Sequence, residues 1–139
     1  MAAYLMDTNA FSALVERHPR VVARAGSLGP GDRLVVCAVV RGEVLYGLGR
    51  MPHGQRRRNL EARTAHLFTG IPCEGLGDGT ADEYARIKLD CERNGTPLDE
   101  NDLWIAAATV ERGAVLVTSD TDFQRVSGLM TEDWTRYEE

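Results

Sequence analysis

The chain has 139 residues, 43% of them hydrophobic and 27% charged, an ordinary globular composition that predicts one compact domain over residues 1–139 around a single core. Its longest apolar run, Leu34 to Val40, is too short to cross a bilayer, and Met1-Ala2-Ala3-Tyr4 lacks the basic lead of a secretory signal, so a cytoplasmic location away from membranes is expected. The net charge of −5 argues against a nucleic-acid partner only if the acids are spread evenly, because carboxylates gathered in one metal site would leave the remaining surface near neutral and its cations free to form a patch.

The first apolar run, Tyr4-Leu5-Met6, reads as a strand. Asp7-Thr8-Asn9 then supplies helix-capping residues ahead of Phe11, Leu14 and Val15 at helical spacing. A second helix starts at Pro19, and Arg33 to Ala38 forms a strand whose continuous apolar character suits a sheet covered on both faces. Helices are predicted from about Val40 to Leu48 and from Gln55 to Phe68. Gly70-Ile71-Pro72-Cys73 is a brief strand that its proline confines to a sheet edge.

Thr80 is expected to cap a helix that reaches Asn94, with Tyr84, Ile87 and Cys91 on its buried stripe. Asp99 caps the next helix, which is apolar from Leu103 to Val110 and ends at Gly113, and Ala114 to Thr118 forms a strand. A turn rich in Asp then opens a short helix. Strands alternating with helices in this order predict an α/β domain with a mostly parallel central sheet and helices on both faces. The three cysteines, Cys37, Cys73 and Cys91, have neither disulfide nor zinc-ribbon spacing.

In parallel sheets, ligands sit beyond the carboxyl ends of the strands. Asp7 follows the first strand, while Ser119, Asp120 and Asp122 follow the strand ending near Thr118, so the two acidic turns are expected on one edge. Glu43, early in its helix, and Asp102, in the first turn of the apolar helix, are placed beside them by packing. Crowded carboxylates repel one another unless a cation holds them ionised. Oxygen donors favour Mg²⁺ or Mn²⁺ over zinc, and His18, His53 and His66 have no metal-ligand spacing.

Each acid also has a purely structural reading. Asp7, Asp120 and Asp122 are natural cap and turn residues, Glu43 alone is an ordinary solvated carboxylate, and Asp102 suits the positive end of a helix dipole. What those readings do not predict is the convergence of all of them on one edge.

Met6-Asp7-Thr8-Asn9, Arg41-Gly42-Glu43-Val44, Asn101-Asp102-Leu103-Trp104-Ile105-Ala106-Ala107 and Val117-Thr118-Ser119-Asp120-Thr121-Asp122-Phe123 together resemble the four acidic motifs of the PIN domain, and within it the VapC-type toxins of bacterial toxin-antitoxin systems. The resemblance spans nearly the whole chain. It implies a three-layer α/β/α domain and a Mg²⁺-dependent endoribonuclease acting on structured RNA such as transfer or ribosomal RNA. It also implies restraint by a cognate VapB-type antitoxin and a homodimeric state. Asp7 and Asp102 are expected as the principal metal ligands, with Glu43 and Asp120 holding water or a second ion and Asp122 in support. Thr8, Asn9 and Thr118 are expected to orient these carboxylates.

Arg50, Arg56, Arg57 and Arg58 are candidate RNA contacts, although such a run is more often a solvated face, and Arg41 beside Glu43 is a candidate phosphate contact or the partner of an acid. Trp104 is either a base-stacking surface or core. Tyr46 and Met51 are candidates for an antitoxin groove or a dimer surface. Three other readings stand beside the nuclease: a receiver-like signalling domain, an aspartyl phosphatase, and a non-catalytic module with a structural ion. The receiver lacks a paired acid at the first strand and a late Lys, since Lys88 is the sole lysine. The phosphatase lacks a second Asp two residues after Asp7.

Overall fold

The computed structural model describes residues 2–136; Met1 and residues 137–139 of the expected domain lie outside the described residues. Its sheet has the order β3-β2-β1-β4-β5, with every pairing parallel. The strands are β1 (Ala3–Met6), β2 (Arg33–Cys37), β3 (Cys73–Glu74), β4 (Val115–Val117) and β5 (Met130–Glu132). In β1, Leu5 lies beside Val35 of β2 on one side and Leu116 of β4 on the other. All three are buried, as strands covered on both faces require.

The helices are α1 (Thr8–Val15), α2 (Pro19–Gly26), α3 (Ala38–Gly49), α4 (Gln55–Gly70), α5 (Asp78–Arg93) and α6 (Glu100–Glu111). The chain steps outward from β1 through β2 to β3, then returns past β1 to β4. With right-handed crossovers, that reversal puts α1 to α4 on one face and α5 and α6 on the other. The packing follows suit: α1 contacts α2, α3 and α4, while α5 lies along α6. The expected three-layer α/β/α arrangement is therefore the one observed. Phe11, Val40, Ile87 and Ile105 join the strand residues in one continuous buried cluster.

Four local expectations shift. Helix α4 continues through Gly70, and β3 begins only at Cys73. Pro72 has no N–H to offer a ladder, although its carbonyl still accepts from Val36 at 3.0 Å. Ala38, expected to end β2, starts α3. Thr80 does not occupy the cap position; α5 starts at Asp78 after Gly77, and the Thr80 hydroxyl accepts from the Gly77 N–H at 3.3 Å while donating to Glu111 at 2.6 Å. Finally, β5 has no counterpart among the predicted strands. It is three residues long and only partly buried, and it is held by pairing to β4 and by the Thr118 N–H donating to the Glu132 carbonyl at 3.0 Å.

Candidate active site

The reversal in strand order falls between β1 and β4, which opens a crevice at their carboxyl ends. Asp7 directly follows β1 at this edge. Its N–H still donates into the ladder, to the Val117 carbonyl at 3.0 Å. Its side chain accepts from two sides: Oδ1 from the Ala10 N–H at 2.8 Å, capping α1, and Oδ2 from the Thr118 hydroxyl at 2.5 Å. The structural reading of Asp7 as a cap is thus correct and does not exclude the other. The residue is only 5% exposed. Burial pushes its carboxyl above the usual range, the bonds from Thr118 and Ala10 oppose that rise, and the charges of Asp120 and Glu43 add to it.

Asp102, in the first turn of α6, is pushed up to about 6 by burial and then by the charges of Asp120, Asp99, Glu43 and Asp7. Asp7 and Asp102 therefore each feel the charges of Glu43 on α3 and of Asp120 after β4, and Asp102 also feels that of Asp7. Asp99 holds the cap position of α6 but makes no side-chain cap bond.

Glu43 is gripped at both oxygens. The Thr8 hydroxyl donates to Oε1 at 2.5 Å, and the Asn101 amide donates to Oε2 at 3.2 Å. Thr8 thus orients a carboxylate as expected. Asn9 is exposed and makes no side-chain hydrogen bond to these acids. Asn101 was legible only as part of a motif, since its contact bridges 58 residues of sequence.

Thr118 couples two acids, donating to Asp7 and accepting from the Asp120 N–H at 3.0 Å. Asp120 caps the short 3-10 helix Thr121–Arg125 through the Asp122 N–H at 2.9 Å. Asp122 itself turns to Arg125 at 3.2 Å, so of the two acids in this turn it is Asp120 whose charge is felt by Asp7 and Asp102. The donors gathered here are all carboxylate oxygens. Among the described residues, no three His, Cys, Asp or Glu side chains already close around a single point.

The arginines divide. Arg57 is tied to Glu61 at 3.1 Å and to the Met51 carbonyl at 3.0 Å, and Arg56 pairs with Glu16 at 3.0 Å. Arg41 lies over the Phe68 ring at 4.4 Å, Arg50 over Tyr46 at 5.3 Å, and Arg58 bonds Gln55 at 3.2 Å. Among the described residues, none of these last three has a carboxylate partner. Trp104, half-buried, is stacked on Tyr84 with centroids 4.0 Å apart, which places its ring in the α5–α6 seam. Tyr46 is exposed, while Met51 is half-buried and lines a crevice of about 200 Å³ with Thr8, Ser12, Glu43 and Gly47. Lys88 pairs with Glu100 at 3.2 Å, which leaves a receiver-like phosphorylation site without its lysine. All three cysteines are free. No helix among the described residues is long and apolar enough to cross a membrane.

Residues 4–129 match the PIN domain family. Ribonuclease VapC1 of Haemophilus influenzae (strain R2866) is 32% identical over 136 residues, covering 96% of this chain and 98% of that protein. The tRNA(fMet)-specific endonuclease VapC of Shigella flexneri is 30% identical over 138 residues, covering 97% of this chain and all of that protein. Among solved structures, VapBC-1 from nontypeable Haemophilus influenzae matches with a TM-score of 0.84 at 27% identity, over 96% of this chain and 99% of that one. VapBC2 from Rickettsia felis, bound to a DNA fragment from its promoter, matches with a TM-score of 0.86 over 95% of this chain and 98% of that one. At 20% identity, that second match is a likeness of fold.

Proposed function

Because this chain belongs to the PIN-domain family, we propose that it is a metal-dependent endoribonuclease, the toxin of a toxin-antitoxin pair, hydrolysing RNA phosphodiester bonds at Asp7, Glu43, Asp102 and Asp120. The observation that carries this reading is the meeting of acids from four separate elements where the strand order reverses, with Asp102 raised to about 6 by burial first and then by the charges of Asp120, Asp99, Glu43 and Asp7. The ribonuclease names of its relatives support RNA as substrate, and the tRNA(fMet) specificity in one of those names supports transfer RNA as a target class. The likeness to VapBC-1 supports a VapB-type antitoxin as partner. A homodimer belongs to the same reading.

Mg²⁺, with Mn²⁺ as substitute, fits the donor set. Mg²⁺ accepts only hard oxygen ligands, keeps several of its own waters and is commonly held by one or two carboxylates, so a fully closed protein cage is not needed. Such an ion, held by Asp7 and Asp102, would supply Lewis-acid chemistry at a phosphate and a more acidic water, so that no histidine base would be needed. Asp7 and Asp102 would be its principal ligands. Glu43 and Asp120 would hold water beside the phosphate or a second ion, while Asp122, drawn to Arg125 at 3.2 Å, would support the turn that carries Asp120. Thr8 and Thr118 fix carboxylate oxygens so that they need not reorganise when substrate arrives. Of the five candidate arginines, Arg41, Arg50 and Arg58 remain available to RNA phosphates, since none of them has a carboxylate partner among the described residues.

The test is cleavage of RNA by the purified chain in Mg²⁺, in chelator, and with Asp102→Asn, alongside calorimetry with Mn²⁺. Cleavage that needs both the ion and Asp102 supports the nuclease. Binding of the ion with no cut strand supports the non-catalytic metal module instead.

A further inference from the structure

Glu43 differs from the other acids of the site in how it is held. Asp7 is fixed by its own helix cap and by Thr118 after β4, whereas Glu43 makes no such cap bond and, among the described residues, is held only by side chains of two other helices. The Thr8 hydroxyl of α1 meets Oε1 at 2.5 Å and the Asn101 amide of α6 meets Oε2 at 3.2 Å. Both donors are uncharged. Each satisfies one lone pair on its oxygen and leaves another open, because a carboxylate offers about four acceptor sites. Asn101 also sits one residue before Asp102, so the turn that presents Asp102 presents the clamp as well. A glutamate side chain has several rotatable bonds and, left free beside three other acids, would swing toward solvent to relieve the repulsion.

We propose that Asn101 is a positioning residue: its amide, together with the Thr8 hydroxyl, clamps the Glu43 carboxylate so that it faces Asp7, Asp102 and Asp120. This rests on the nuclease reading for its catalytic consequence, but not for its geometry. A donor is required at 101. An aspartate there would have the same shape but would set a second carboxylate against Glu43 instead of an N–H.

The experiment compares Asn101→Ala and Asn101→Asp with the wild-type chain, each also in a Glu43→Ala background. It measures kcat and KM for RNA cleavage and the affinity for Mn²⁺ by calorimetry, with thermal melting to confirm folding. Asn101→Ala is expected to lower kcat by roughly tenfold, the scale of lost outer-shell support at metal sites, with KM nearly unchanged. Asn101→Asp should fall at least as low despite its matching shape. In the Glu43→Ala background, where cleavage itself is lost, the readout is Mn²⁺ affinity, and Asn101→Ala should leave it unchanged because the group it positions is gone. Equal losses of Mn²⁺ affinity with and without Glu43, or wild-type cleavage by Asn101→Asp, would overturn the clamp. If the wild-type chain cuts no RNA, the nuclease reading fails separately and Mn²⁺ affinity decides: weakening by Asn101→Ala only when Glu43 is present sustains the clamp, and no weakening refutes it.

Discussion

The Thr118 hydroxyl at the end of β4 donates to Asp7 Oδ2 at the end of β1 across 2.5 Å, joining residues 111 apart in sequence. This bond locks the two strand ends on either side of the topological reversal into one unit, and it opposes the burial that drives the Asp7 carboxyl upward. Thr118→Val keeps the shape and removes the donor. It is predicted to cost about 1–3 kcal/mol, because a buried acceptor loses its partner, and to lower cleavage by raising the Asp7 pKa further. Thr118→Ser should preserve both properties. Chemical denaturation and RNA cleavage on the three proteins check this.

Asp102→Asn should abolish RNA cleavage while leaving the fold intact. The residue is only partly buried, and the α6 helix beneath it is held by Leu103, Ile105 and Ala106 rather than by its carboxylate. Circular dichroism unchanged from wild type, with no cut RNA, is the expected result.

Without metal, the same residue makes stability depend on pH. A carboxyl with a higher pKa in the folded than in the unfolded chain favours folding at low pH and loses that advantage as the pH rises through its folded pKa. Asp102 moves from 3.8 to about 6, so the metal-free protein should lose stability between about pH 4 and pH 7 relative to Asp102→Asn. The expected difference in Tm change is on the order of a few degrees. Added Mg²⁺ at pH 7.5 should restore the wild-type protein and not the variant. Parallel melting curves for the two proteins across this range would contradict the assignment.

Arg57 and Arg58 are adjacent yet predicted to behave differently. Arg57→Ala loses bonds to Glu61 and the Met51 carbonyl and should cost roughly 1 kcal/mol of stability. Arg58→Ala should leave stability alone and, if Arg58 meets a phosphate, reduce the salt slope of RNA binding by about 0.7. Denaturation and filter binding at several salt concentrations separate the two.

Much of the fold was legible because its central strands are apolar runs ending in acids. Tyr4 to Met6 followed by Asp7, and Val115 to Val117 followed by Thr118 and Asp120, announce strand, turn and site at once. The edge strands β3 and β5 were not legible in the same way. They are two and three residues long, too short to show a period, and their extended form is imposed by the neighbours they pair with. Within the site, the identity of the acids followed from position at strand ends and helix starts. The division of labour between Asp120 and Asp122 did not, because it depends on Arg125 drawing one of them aside. The same holds for Asn101, whose partner Glu43 is named only by the fold.

The central claim is that these carboxylates cut RNA. Its most direct test is mapping of new 5′ ends in cellular RNA after brief induction of the wild-type chain and of Asp7→Asn at matched levels. The account predicts new ends at one or a few positions in structured RNA with the wild type and none with the variant. Identical end profiles for the two proteins would contradict it.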